Sequence, residues 1–313
     1  MSPTAVATNT SPIIHIPLLT NKQFRNKQTP VNVDTLVARG TPAEQEAALA
    51  DLILTASTMV YSITHQLLYA TVDTEEDELT TDRWGRLLIH PRFFPIQQIT
   101  DLWTGLDPAS LVEASSLSGV EVRPKEIVIT QDRGTGLLTS SAGPLELGGI
   151  FGAPPRSPVP TYARWTYVNG WPVMRLAAAA GAGATSIQVV GAPGVQTSGA
   201  PGILAGYPLR IEDGPTRENL TVTAPPTGTT VPVEALANNH EAGEAVTALP
   251  ADIEQAVALF VTGLVKRRGA GGLVAGTTAK AKESKDPFGA ADDFAEAEKI
   301  LTDGDYVAVG GRS

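Results

Sequence analysis

A chain of 313 residues is long for one domain and comfortable for two, and an apolar content of 42% is ample for a core and excludes wholesale disorder. A formal net charge of -10 excludes a protein that wraps nucleic acid through clustered Lys and Arg, although local basic patches stay open, and the lack of cysteine excludes disulfides, thiolate catalysis and Cys-ligated zinc. The N-terminus has no basic region ahead of an apolar one and no apolar run approaches the ~20 residues of a membrane span, so a soluble intracellular product is expected.

Residues 1–40 read as an extended N-terminal arm. Ser2, Pro3, Thr4, Asn9, Thr10, Ser11 and Pro12 favour a tail, while IIHIPLL (Ile13 to Leu19) suits another surface. A loosely docked tail and a partner-binding arm are both open. The first long helix opens at TPAE, where Thr41 caps, Pro42 suits the first helical position and Glu44 completes a capping box. Leu49, Leu52, Ile53, Ala56, Val60, Ile63 and Leu67 then recur at spacings of three and four, a single apolar stripe.

From Tyr69 short β-like runs take over, with a turn at Gly85 and with Pro91 and Pro95 confining strands to edges or ends. EVRPKEIVIT leads into a hairpin expected around Asp132 to Gly136. YARWTYVNGWP is a further strand, with Tyr162, Trp165 and Tyr167 in alternation. Residues 41–175 thus form the first part of a helix-plus-antiparallel-sheet core.

Residues 176–247 read as an inserted small all-β module, with SIQVV, PLRIED, ENLTVTA, TTVPVEA and AVTA separated by Gly, Pro and Asn turn signals. The core returns as a helix over 248–268: Pro250 lies in its first turn, Asp252 and Glu254 complement its N-terminal dipole, and Lys266, Arg267 and Arg268 its C-terminal end. Its stripe of Ile253, Val257, Phe260, Val261 and Leu264 is expected to pack on the stripe of the Thr41 helix, and Gly263 is the one residue that fits poorly. Residues 269–313 hold a flexible, mildly basic linker (Gly269 to Lys285) and a docking helix near Ala290 to Leu301, with Phe294, Ala297 and Leu301 on one face. So small a face must dock, on its own protomer or on a neighbour.

Chemistry is sparse. His15, His65, His90 and His240 lie in separate segments without metal-ligand spacing. DTEEDE (Asp73 to Glu78) lacks the glycine and spacing of a calcium loop and reads as a solvated acidic turn. Neither GAGAT nor GAGG leads into a phosphate cradle, no Gly-x-Ser-x-Gly elbow appears, and the NLT sequon at Asn219 has no secretory signal ahead of it. Lys266, Arg267 and Arg268 are helix-end charges or a phosphate or partner contact. No cofactor, metal or catalytic residue is expected.

The order LADLILTASTMVYSITHQLL, LLIHPRFFPIQQITDLW, RWTYVNGWP, LPADIEQAVALFVTGLVKRR and a final acidic helix resembles the head-tail connector (adaptor) proteins of long-tailed bacteriophages. Tyr-x-x-Gly-Trp-Pro (Tyr167 to Pro172) and Leu-Pro-x-Asp-Ile-x-x-Ala-Val (Leu249 to Val257) carry most of it, with the His90-Pro91 passage into IQQITDLW. In compact members those first two segments lie almost adjacent. The likeness spans roughly 40–172 and 248–303, and the insertion itself resembles a recurrent phage-structural β module. The resemblance implies an α+β protein with a helical connector core, antiparallel hairpins and an inserted all-β domain. It further implies a virion protein at the head-tail interface, made in the host cytoplasm: a homo-oligomeric ring, commonly dodecameric, under the portal protein and above a downstream head-tail or tail-terminator protein. DNA would pass through the channel without sequence-specific binding. In that family protomers interlock, so docking of Phe294, Ala297 and Leu301 on a neighbouring chain is favoured. Two other readings stay open: a tail or baseplate component whose β module touches carbohydrate or a partner, with Tyr207 as its one aromatic, and a hydrolase using Glu212 and Asp213.

Overall fold

The computed structural model describes residues 16–27, 29–82, 86–130, 162–191, 203–213, 216–268 and 289–307. The hairpin expected around Asp132 to Gly136, the linker from Gly269 to Lys285 and His15 lie outside the described residues. The fold is α+β, with four helices and three antiparallel sheets among the described residues, one sheet being a six-stranded half-barrel. Contacts divide it into two compact units, one built on Thr71–Gly170 and the other on Pro12–Ala70 with Trp171–Ser313.

Part of the stretch expected as an extended arm is folded. Thr20 caps α1 (Asn21–Asn26) through a capping box with Gln23, and Ile16, Leu18, Leu19 and Phe24 are buried. The Tyr61 hydroxyl donates to the Ile16 carbonyl at 3.0 Å, and the Leu18 N–H donates to Ser57 Oγ at 3.0 Å. Those bonds lay the segment along α2 (Pro42–Thr64), which opens on the expected Thr41–Glu44 capping box. Leu49, Leu52, Ile53, Ala56 and Val60 of its stripe are buried, with Ile63 and Leu67 half-buried. By length and composition α2 is apolar enough to cross a membrane, contrary to the expectation that no run approaches that length, and 44% of its most apolar window is buried within the chain.

The Thr71–Gly170 unit holds β1 (Thr71–Glu78), β2 (Thr80–Thr81), β3 (Leu87–Ile89), β4 (Ile96–Gly105), β5 (Val112–Glu113), β6 (Val120–Val122), β7 (Ile127–Ile129) and β8 (Tyr162–Asn169). They form two sheets, ordered β1-β8-β4-β5 and β2-β3-β7-β6, around Leu87, Leu102, Ile127, Trp165 and Tyr167. Two sequence expectations are corrected here. DTEEDE belongs to edge strand β1 rather than to a turn: it pairs antiparallel with β8 along its length, and acidic side chains on an edge discourage unwanted strand addition. EVRPKEIVIT is two strands, because Pro124 has no N–H to continue a ladder and the Arg123 N–H closes a turn on the Glu126 carbonyl at 2.9 Å.

In the other unit, β9 (Val173–Leu176), β10 (Ser186–Gly191), β11 (Pro208–Asp213), β12 (Thr216–Thr221), β13 (Thr230–Pro232) and β14 (Ala245–Thr247) make one sheet in the order β12-β11-β14-β9-β10-β13. The sheet curls until its two end strands meet at a Val222–Val233 bridge, where the Thr223 N–H donates to the Pro232 carbonyl at 3.0 Å. Leu176, Ile187, Leu209, Ile211, Val231 and Val246 fill its interior. Its first strand starts ahead of Leu176, the boundary read from the sequence.

β14 feeds directly into α3 (Ala251–Arg267), with Pro250 at the N-cap rather than inside the first turn. Ile253, Val257, Phe260 and Val261 are buried in one core with the α2 stripe, while Leu264 is half-buried. The last helix, α4 (Ala290–Asp303), lies against α3.

Candidate functional site

The sequence singled out two groups for assembly contacts, and the structure brings them together at the α3–α4 corner. Phe294, Ala297 and Leu301 are buried, and the Phe294 ring lies 5.7 Å from that of Phe260. Gly263 explains itself here: a Cβ on it would stand 2.9 Å from Phe294 Cζ, so the residue that fitted the helix poorly is what lets α4 approach. Lys266 pairs with Asp293 at 2.7 Å, and the Arg267 guanidinium stacks over the Phe294 ring at 4.1 Å. Arg268 stays exposed at the helix end. The apolar face expected to seek a neighbour is thus covered by α3 of the same chain, since pattern alone specifies a face and not whose surface covers it.

A second cluster, which sequence reasoning missed, joins the half-barrel to the helices. The Arg210 guanidinium on β11 bonds Glu212 at 2.7 Å, the Leu249 carbonyl at 3.1 Å, and the buried carboxylate of Glu254 on α3. Segment α1 supplies the other grips. Gln23 donates to Glu212 at 2.8 Å, Lys22 pairs with Glu244 next to β14, and Lys27, just past the helix, pairs with Glu254 at 3.1 Å. Burial pushes Glu254 above the usual carboxylate range and nearby Glu212 adds to this, with Lys27 and Arg210 offsetting it in part. Burial also presses on Glu212, but the Gln23 hydrogen bond and the Arg210 charge outweigh it and hold that group below the usual range. Its partners lie up to 227 residues apart, and no local signal announces such a cluster.

Other candidates are structural. Glu218 accepts from the Ala237 N–H at 2.6 Å, the Asn238 N–H at 3.1 Å and His240 Nε2 at 2.9 Å, tying β12 to the loop before β14. Within β1, Asp73 accepts from Asn169 at 2.7 Å and Glu75 from the Tyr167 hydroxyl at 2.5 Å. Among the described residues no three His, Cys, Asp or Glu side chains gather as a metal ion would require. Tyr207 packs against the interior of the half-barrel. Glu212 is engaged as above, and the side chain of its neighbour Asp213 lies outside the described residues.

No family profile, curated protein or solved structure matches the chain. What remains in hand is geometric: a helical core, a half-barrel fastened to it by charge, and entry and exit strands of that barrel side by side. Across 75 residues of sequence, Thr247 Oγ1 donates to the Pro172 carbonyl at 3.2 Å, and the Ala248 N–H donates to the same oxygen at 3.0 Å.

Proposed function

We propose that the protein is a head-tail adaptor of a long-tailed bacteriophage, a structural virion component that assembles as a ring beneath the portal, continues the DNA channel and meets a downstream tail-side protein. One observation carries this reading. The two segments with the strongest resemblance, Tyr167 to Pro172 and Leu249 to Val257, are almost adjacent in compact adaptors, and here the half-barrel closes on itself so that Pro172 and Ala248 are hydrogen-bonded. Trp171 and Val173 accordingly share a core with Leu249 and Ile253. The host core keeps its path, with the insertion hanging from one point.

The charge is compatible with this role. A chain of net charge -10, repeated around a ring, can repel the phosphate backbone and let DNA slide without sticking. The test is particle size, by electron microscopy and native mass spectrometry, of the purified chain alone and mixed with a phage portal protein. Rings bound to the portal are expected. A chain that neither assembles nor binds any portal tested overturns the proposal.

A further inference from the structure

Helix α2 is covered on one side only. Between Ala47 and Ile63 it carries a single charged residue, Asp51. On its open side the hydroxyls of Thr55, Thr58 and Ser62 donate back to the carbonyls of Asp51, Leu54 and Thr58 at 2.8, 2.9 and 2.9 Å, so that surface presents mainly methyl and methylene groups. Leu54 is 38% exposed there, beside a groove of about 530 Å³ rimmed by Glu298 of α4. Asp51, Leu54, Thr58, Ser62 and His65 follow one another at spacings of three and four, the seam of a helix that packs on a helix. A helix apolar on every side belongs in an interior, and its own core covers only half of it.

Charge selects the occupant. Copies of a chain at -10 repel one another least across a strip that is nearly uncharged, and the two polar ends of this strip are of opposite character. We propose that the open face of α2 packs antiparallel on the same face of a second copy, about a twofold axis at Thr58. That register sets Asp51 opposite His65 of the second copy, where the imidazole N–H can donate to the carboxylate. It also sets the projecting Leu54 opposite the small Ser62. Moving the axis one turn, to Thr55, faces Asp51 with the thioether of Met59 and leaves His65 without an acid. A twofold contact closes at two copies, unlike the head-to-tail contact that builds a ring, so this inference stands independently of the adaptor reading.

Because the chain has no cysteine, Thr58→Cys places one thiol on the proposed axis. Oxidation should link two copies through it, whereas Gln255→Cys, on the exposed side of α3, should not link. In sedimentation velocity over a concentration series, wild type should dimerise and Thr58→Arg should weaken the dimer on the order of 100-fold, as like charges facing each other do. Asp51→His should weaken it too, and Asp51→His with His65→Asp should restore it, an outcome general damage to the fold cannot produce. A wild type monomeric at every concentration overturns the proposal. So do a dimer indifferent to Thr58→Arg, a double exchange that fails to restore, and capture of the α2 face by phosphatidylcholine vesicles in place of a second copy.

Discussion

Replacing Arg210 by Met is expected to loosen the attachment of the half-barrel to α3. Arg210 is 14% exposed and Glu254 1%, so water cannot take over the bond that is lost. Met keeps much of the apolar stem but leaves Glu254 with Lys27 alone and Glu212 with Gln23 and the half-exposed Arg217. Breaking a buried pair by removing one partner costs about 3–5 kcal/mol, and the surviving Lys27 bond places this case near the lower figure. Urea unfolding followed by tryptophan fluorescence measures it. The dependence on pH is fixed in sign. Glu254 sits above the usual carboxylate range in the folded protein, so folding takes up its proton and that group gains stability as pH falls; without the guanidinium the gain is larger. Glu212 sits below the usual range, so its contribution to the wild type is present above that range and fades as pH falls through its folded value. Both effects narrow the gap between wild type and variant in acid. Adding Glu254→Gln should recover part of the loss near neutral pH. A gap under about 1 kcal/mol near neutral pH, the scale of an exposed pair, or one that widens on acidification, refutes this account.

Phe260→Ala should destabilise by about 3–5 kcal/mol in the same assay because its ring is fully buried between α2 and α4, while exposed Gln255→Ala should change little; equal effects would rule out the helix packing described. Gly263→Ala replaces a poor helix former with the best one, yet it should lower stability by about 1–3 kcal/mol because the new methyl displaces the Phe294 ring, and a rise in melting temperature would show that α4 does not lie this close.

What was legible in the sequence was periodic or capped. Thr41, Pro42 and Glu44 mark the start of α2 through groups that bond within four residues, and the module strands are spaced by their own turn signals. α1 went unread because its six residues are too few to display a period. β1 went unread because five of its eight residues are acidic, a composition that only pairing with β8 makes a strand. The Arg210 cluster depends on side chains from four distant segments, and its residues viewed singly look like ordinary strand and helix charges. The α4 face was visible as a face, while its partner depended on Gly263, whose use appears only when a ring lies against it.

The side-by-side placement of β9 and β14 has a consequence for how such a chain changes over generations. Residues joined to the helical core through neighbouring, hydrogen-bonded strands can be lengthened, shortened or exchanged at the far end of the barrel without moving the port to which they connect. The Arg210, Lys22 and Gln23 contacts work against that freedom, because a replacement cassette lacking them would strand Glu254 in the core with Lys27 alone. The port tolerates variation in what it carries, and the charged fastener makes one particular cargo hard to give up.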